Sequence, residues 1–114
     1  MRSLPCPTRR ILLAAAATAM LAGPALAQTP GFAVTVRDQK FEPAELEVPA
    51  GQKFELRITN AETVSIEFES SDLRREKVIT RGQTATLYLG PLKPGRYEFF
   101  DDFRRHVRGA LIAR

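Results

Sequence analysis

Phe32, Val34 and Val36 alternate with Ala33, Thr35 and Arg37, and Leu46 and Val48 alternate with Glu45 and Glu47. A period of two marks strands that bury one face. The same pattern returns at Phe54, Leu56 and Ile58 against Glu55, Arg57 and Thr59, and at Val64, Ile66 and Phe68 against Ser65, Glu67 and Glu69. Further strands are predicted over 77–80, 84–89, 96–100 and from about 108 to 113. Pro49-Ala50-Gly51-Gln52, Arg81-Gly82 and Pro91-Leu92-Lys93-Pro94-Gly95 supply the residues that fix or free φ in turns. Residues 70–76 read as a polar excursion with room for one helical turn. Seven or eight short strands with turns at intervals near ten residues, and no helical period, predict an all-β antiparallel Greek-key sandwich.

The first 27 residues have a different character. Arg2, Arg9 and Arg10 form a basic front, residues 11–22 are apolar and uncharged, and Ala25-Leu26-Ala27 is a small-x-small site. This is the pattern of a cleaved secretory signal over 1–27, followed by one domain over 28–114. Thr8-Arg9-Arg10-Ile11-Leu12-Leu13 also fits a twin-arginine motif, with Ala14 where lysine is common, and a simple basic front accounts for the same residues. The apolar stretch is short of the roughly 20 residues that span a bilayer. The expectation is a periplasmic protein, soluble after cleavage, with no membrane insertion of its mature chain.

Charge and cysteine narrow the picture further. The formal charge of +4 includes three arginines from the signal; without them, 14 basic residues face 13 acidic ones. No attraction to nucleic acid or to a membrane surface follows from that balance. Residues 28–114 contain neither cysteine nor methionine, so no disulfide supports the fold.

Phe41-Glu42-Pro43, Leu46-Glu47-Val48-Pro49-Ala50-Gly51 and Asn60, followed by Leu92-Lys93-Pro94-Gly95-Arg96-Tyr97-Glu98-Phe99 and Gly109-Ala110-Leu111-Ile112, together resemble the cupredoxin family across the whole predicted domain. That resemblance implies a type 1 copper position. Carried over by spacing, the first histidine falls at or near Glu67, the cysteine at Asp101, the second histidine at Arg104 or His106, and the methionine at Val107. A hard carboxylate cannot stand in for a thiolate, so no type 1 copper is expected. The remaining set, Glu67, Glu69, Asp101, Asp102 and His106, suits iron, Mn(II) or a non-blue copper. Glu67-Phe68-Glu69, Glu76-Lys77 and Phe99-Phe100-Asp101-Asp102-Phe103 are similar to one branch, the small periplasmic cupredoxins of ferrous-iron uptake related to the N-terminal domain of EfeO. The resemblance implies a periplasmic iron-binding protein and an inner-membrane iron permease as partners. It also implies an iron-relay or ferroxidase role, although the residues themselves favour a protein that is not an enzyme.

The same residues have plainer readings. Glu67 and Glu69 can be a solvated sheet face, Asp101 and Asp102 turn formers, and His106 a surface histidine. Arg104, Arg105 and Arg108 can instead pair with Asp101 and Asp102, making a salt-bridged loop without metal. The alternative function is then a metal-free module that docks on a transport component through the loop around Phe103. A hydrolase is disfavoured, because Ser65, Ser70 and Ser71 lack a nucleophile elbow.

Overall fold

The computed structural model describes residues 28–114, together with residues 2–5 and residue 16. The twin-arginine motif and most of the predicted signal lie outside the described residues. Every regular element among the described residues is a strand, in the order β1 (Gly31–Arg37), β2 (Lys40–Glu42), β3 (Glu45–Val48), β4 (Phe54–Asn60), β5 (Ile66–Ser70), β6 (Arg75–Ile79), β7 (Thr84–Leu89), β8 (Gly95–Asp101) and β9 (Arg104–Ala113). They form a four-stranded sheet, β2-β1-β4-β7, and a five-stranded sheet, β3-β9-β8-β5-β6. The chain passes from the first sheet to the second between β2 and β3.

The all-β sandwich matches the alternation in the sequence, with nine strands among the described residues rather than seven or eight. The additional strand is β2. Asp38 and Gln39 both take positive φ, 51° and 58°, closing a two-residue turn that pairs Arg37 with Lys40 and buries Phe41 opposite Val36. Pairing is mixed rather than wholly antiparallel, because β1 runs parallel to β4 and β3 parallel to β9. Alternation records which face is buried and leaves the direction of the partner open. Of residues 70–76, only 71–74 leave the strands, as a tight turn between β5 and β6 and not as a helical one. Arg74 takes φ 55°, buried Leu73 anchors the turn, and the Leu73 amide donates to the Ser70 hydroxyl.

The core lies between the sheets. Phe54, Phe68, Phe99, Leu56, Ile58, Ile66 and Leu111 are fully enclosed. Phe41 packs edge-on against Phe99 at 4.8 Å, and Phe68 lies 5.1 Å from Phe99. Such aromatic pairs each add to stability beyond the area they bury. Phe99 is opposite Gly109 in the β8–β9 ladder. A Cβ on Gly109 would stand 2.6 Å from the Phe99 ring, so this position has no room for a side chain.

Two features place the site. Asn60, fully buried at the end of β4, donates through Nδ2 to the Val64 and Ile79 carbonyls and accepts the Glu62 amide on Oδ1. It thereby fixes the β4–β5 loop. The last strand begins at Arg104, four residues earlier than its alternation predicts, and β8 and β9 are joined by only Asp102 and Phe103. Arg105, His106 and Val107 are the extra residues of a bulge between the Phe100↔Arg108 and Asp101↔Arg104 pairs, with Arg105 and His106 exposed and Val107 turned into the core. That bulge breaks the period of two.

Candidate functional site

On β5 the inward side chains are Ile66 and Phe68, both fully buried, so Glu67 and Glu69 project from the outer face of the five-stranded sheet. The β8–β9 turn folds onto the same face, with the Asp102 amide donating to the Glu67 carbonyl at 2.8 Å. One carboxylate oxygen from each of Glu67, Glu69 and Asp102 then lies within 4.8 Å of the others. Glu76 of β6 is opposite Glu69 and adds a fourth carboxylate.

The electrostatics are those of crowded like charges. Partial burial raises the Glu67 carboxyl above its ordinary value, helped by the charges of Asp102 and Glu76. Glu69 is raised for the same first reason, then by the charge of Asp102 and a hydrogen bond shared with it. Arg105 supplies a partial counterweight, holding Asp102 at 2.9 Å. Its guanidinium and that of Arg108 also lie over the Phe100 ring, at 5.9 and 5.2 Å. Three oxygens spaced evenly around one hard cation at about 2.0–2.6 Å lie at most about 1.7 times that distance apart, so donors at this spacing reach a shared ion with at most a small inward movement of their side chains.

Asp101, one residue before Asp102, points the other way and has no exposure. Its Oδ1 accepts the amides of Glu67 and Phe103, at 2.9 and 3.1 Å, and its Oδ2 accepts Arg104 Nε at 3.0 Å. Arg104 Nη2 reaches Glu62 Oε1 at 3.2 Å, and the same oxygen accepts the Gln39 amide at 2.7 Å. His106 sits in the bulge with Nε2 2.7 Å from Gln39 Oε1, on the exposed side. The five residues predicted from the sequence therefore divide. Glu67, Glu69 and Asp102 come together, Asp101 turns inward to Arg104, and His106 meets the β1–β2 turn.

Three participants were not predicted as site residues. Glu76 becomes legible once β5 and β6 are paired, and Arg104 entered only at a position carried over from the resemblance and as an alternative partner for the aspartates. Glu62 gave no signal, since its role depends on the loop that Asn60 fixes.

A thiolate-bound copper does not fit this arrangement. The position two residues beyond Phe99 carries a carboxylate whose oxygens are already engaged by two amides and a guanidinium. A two-residue turn follows it where a ligand loop would be needed.

A family profile described as a cupredoxin-like domain matches residues 10–113. The uncharacterized protein RP394 of Rickettsia prowazekii (strain Madrid E) is 46% identical over 79 residues, covering 69% of this chain and 63% of its own length. The chain thus spans less than two thirds of that relative. Among solved structures, the metal-binding domain of the Streptococcus pneumoniae D39 Cu(I)-exporting P-type ATPase CopA, with Cu(I), superposes with a TM-score of 0.65 at 14% identity, covering 74% of this chain and 84% of that one. A reduced amicyanin variant superposes with a TM-score of 0.62 at 19% identity, covering 74% and 82%. At these identities the superpositions establish the fold alone.

Proposed function

From the premise that the chain belongs to the cupredoxin-like domain family, we propose that it is an exported periplasmic accessory of ferrous-iron uptake that holds a hard divalent cation as cargo. The convergence of Glu67, Glu69 and Asp102 on one outer face carries this reading. Oxygen donors select Fe(II) or Mn(II) over Cu(I). A surface site at the end of the sandwich permits fast release to a partner. The similarity of Glu67-Phe68-Glu69 and Phe99-Phe100-Asp101-Asp102-Phe103 to the EfeO-related branch supports a periplasmic iron-binding protein and an inner-membrane permease as partners. Among the described residues no helix is long and apolar enough to cross a membrane. A ferroxidase step is not part of the proposal.

Anaerobic titration calorimetry with Fe(II), Mn(II) and Cu(II) on residues 28–114 tests it. Binding of Fe(II) and Mn(II) is expected, and its loss in Glu67→Gln/Glu69→Gln. Heats unchanged in the variant would remove the assignment.

One observation favours a second reading, a metal-free docking module. Arg104 fills the interior beside Asp101, and Phe103 at the tip of the β8–β9 turn is 56% exposed. Capture of the transport partner by chelator-treated protein, lost in Phe103→Ala and retained in Glu67→Gln/Glu69→Gln, would favour this reading over the first.

A further inference from the structure

The inner face of the β8–β9 end contains an unusual charge arrangement, separate from the outer carboxylates. Asp101 is wholly enclosed and Glu62 nearly so, with side-chain exposures of 0% and 13%, and a single guanidinium lies between them. Each contact ties a different segment. Asp101 belongs to the end of β8 and holds two amides, one in β5 and one in the β8–β9 turn. Glu62 belongs to the β4–β5 loop and holds the amide of the β1–β2 turn. Arg104 opens β9 and, at 22% side-chain exposure, bridges both acids. Enclosed carboxylates without a cation would be strongly disfavoured. A bound metal commonly fills that role by cross-linking anionic ligands from separate segments.

We infer that this end of the fold is a cation site occupied by the chain's own Arg104, and that removing its side chain leaves a site on Asp101 and Glu62 for a small external cation of guanidinium type. The guanidinium is suited to the position because it donates from two different nitrogens, Nε to Asp101 and Nη2 to Glu62, in the planar fork that carboxylates accept. The domain then needs no metal to close its loop end, in keeping with the misfit of type 1 copper at the same place. The inference stands on residues other than the proposed cargo donors.

The test uses residues 28–114 carrying Glu67→Gln/Glu69→Gln, so that outer-face binding does not contribute, and compares Arg104→Ala with Arg104→Ala/Asp101→Asn. Arg104→Ala should melt lower by on the order of 10 °C. Guanidinium chloride at low millimolar concentration, far below denaturing levels, should restore part of that loss in Arg104→Ala. It should do nothing for the parent, where the site is filled, or for the double variant, where an acid is gone. Equal shifts in all three proteins, or none in Arg104→Ala, would overturn the inference. So would a larger rescue by Mn(II) at the same concentration, which would assign the vacated position to metal. If Arg104→Ala does not fold, Arg104→Lys replaces it, because one ammonium cannot reproduce the two-nitrogen bridge. Amide exchange should then accelerate at least tenfold at Gln39 or at the amides of positions 67 and 103. Unchanged protection at all three amides would refute the bridge.

Discussion

Glu69 on β5 and Glu76 on β6 are directly opposed on the outer face of the five-stranded sheet. Like charges in such a pair destabilise a sheet, and opposite charges are the usual arrangement. The fold is sound elsewhere, and no buried side-chain nitrogen or oxygen among the described residues lacks a hydrogen-bond partner. A local conflict within a consistent structure is where function is to be sought. Replacing Glu76 with Gln should relieve the repulsion without removing any of the three clustered donors. The apo protein should gain about 1–4 °C in Tm, and Mn(II) should still bind. A fall in Tm would show that the pair does not repel in solution.

Glu67 and Glu69 give this region a pH dependence of definite sign. Both carboxyls are raised above the ordinary value of 4.5 by partial burial and then by their acidic neighbours. A carboxyl with a higher pKa in the fold than in the unfolded chain binds its proton more tightly when folded, so these groups favour the apo fold in acid. Their penalty is absent below the unfolded value and complete once pH exceeds the raised folded value. The Tm of Glu67→Gln/Glu69→Gln minus that of wild type should therefore be positive at pH 7 and shrink towards zero by about pH 4. Cation binding needs the deprotonated donors and runs the other way. The Tm gain on adding Mn(II) should be greatest near neutrality and vanish over the same window. Thermal melts with and without Mn(II) across that range measure both.

Much of this architecture is legible in the sequence because each strand buries one face. Phe54, Leu56 and Ile58 against Glu55, Arg57 and Thr59 leave one choice of inner side, and the same holds for Ile66 and Phe68. Legibility fails where that period is short or broken. Lys40–Glu42 is too brief to show a period, and its turn uses Asp38 and Gln39 where glycine would have been the clearer signal. The start of β9 is masked by the bulge at Arg105, His106 and Val107. Asp101 and Asp102 look equivalent in sequence. Their division into an enclosed carboxylate and an outer donor is set by where the strand ends and the turn begins. His106 is separated from the acids by the bulge, which no spacing rule could reveal.

Gly109 tests the packing beneath the site. It admits the Phe99 ring so closely that a methyl group would also meet the Ala44 carbonyl oxygen at 3.0 Å. Phe99 cannot retreat, since Phe41 and Phe68 pack against it. Gly109→Ala should destabilise by about 1–3 kcal/mol through overpacking. Urea denaturation would show a lower midpoint with an unchanged m-value. A neutral result would mean that the aromatic cluster yields more readily than its burial implies.

Asn60 governs the loop that delivers Glu62. Asn60→Leu would leave the Val64 and Ile79 carbonyls and the Glu62 amide without their side-chain partner. The expected cost is about 2–4 kcal/mol, since unmade hydrogen bonds in enclosed positions are expensive. Amide exchange distinguishes this from general weakening. Gln39, whose amide is held by Glu62, should lose protection more than the core amides of β4.

Arg105 competes with any cation for Asp102. Its Nε and Nη2 lie 3.0 and 2.9 Å from Asp102 Oδ1, and the side chain is 75% exposed. An exposed pair of this kind is weak, so the guanidinium can be displaced when an ion arrives. Removing it by Arg105→Ala also lowers the positive potential beside the cluster. Mn(II) affinity should rise about two- to fivefold, the span that an exposed ion pair contributes. Stability of the apo protein should fall, because Asp102 loses its counter-charge while Glu67 and Glu69 remain close. Arg108→Ala is the matched control, since that guanidinium also lies over Phe100 and carries the same charge but forms no ion pair with Asp102 among those described. Calorimetry on the two variants separates a direct competitor from a merely nearby charge. Equal gains in both would mean that Arg105 acts only through the overall field, and an unchanged affinity in Arg105→Ala would mean that Asp102 is not a donor to the ion.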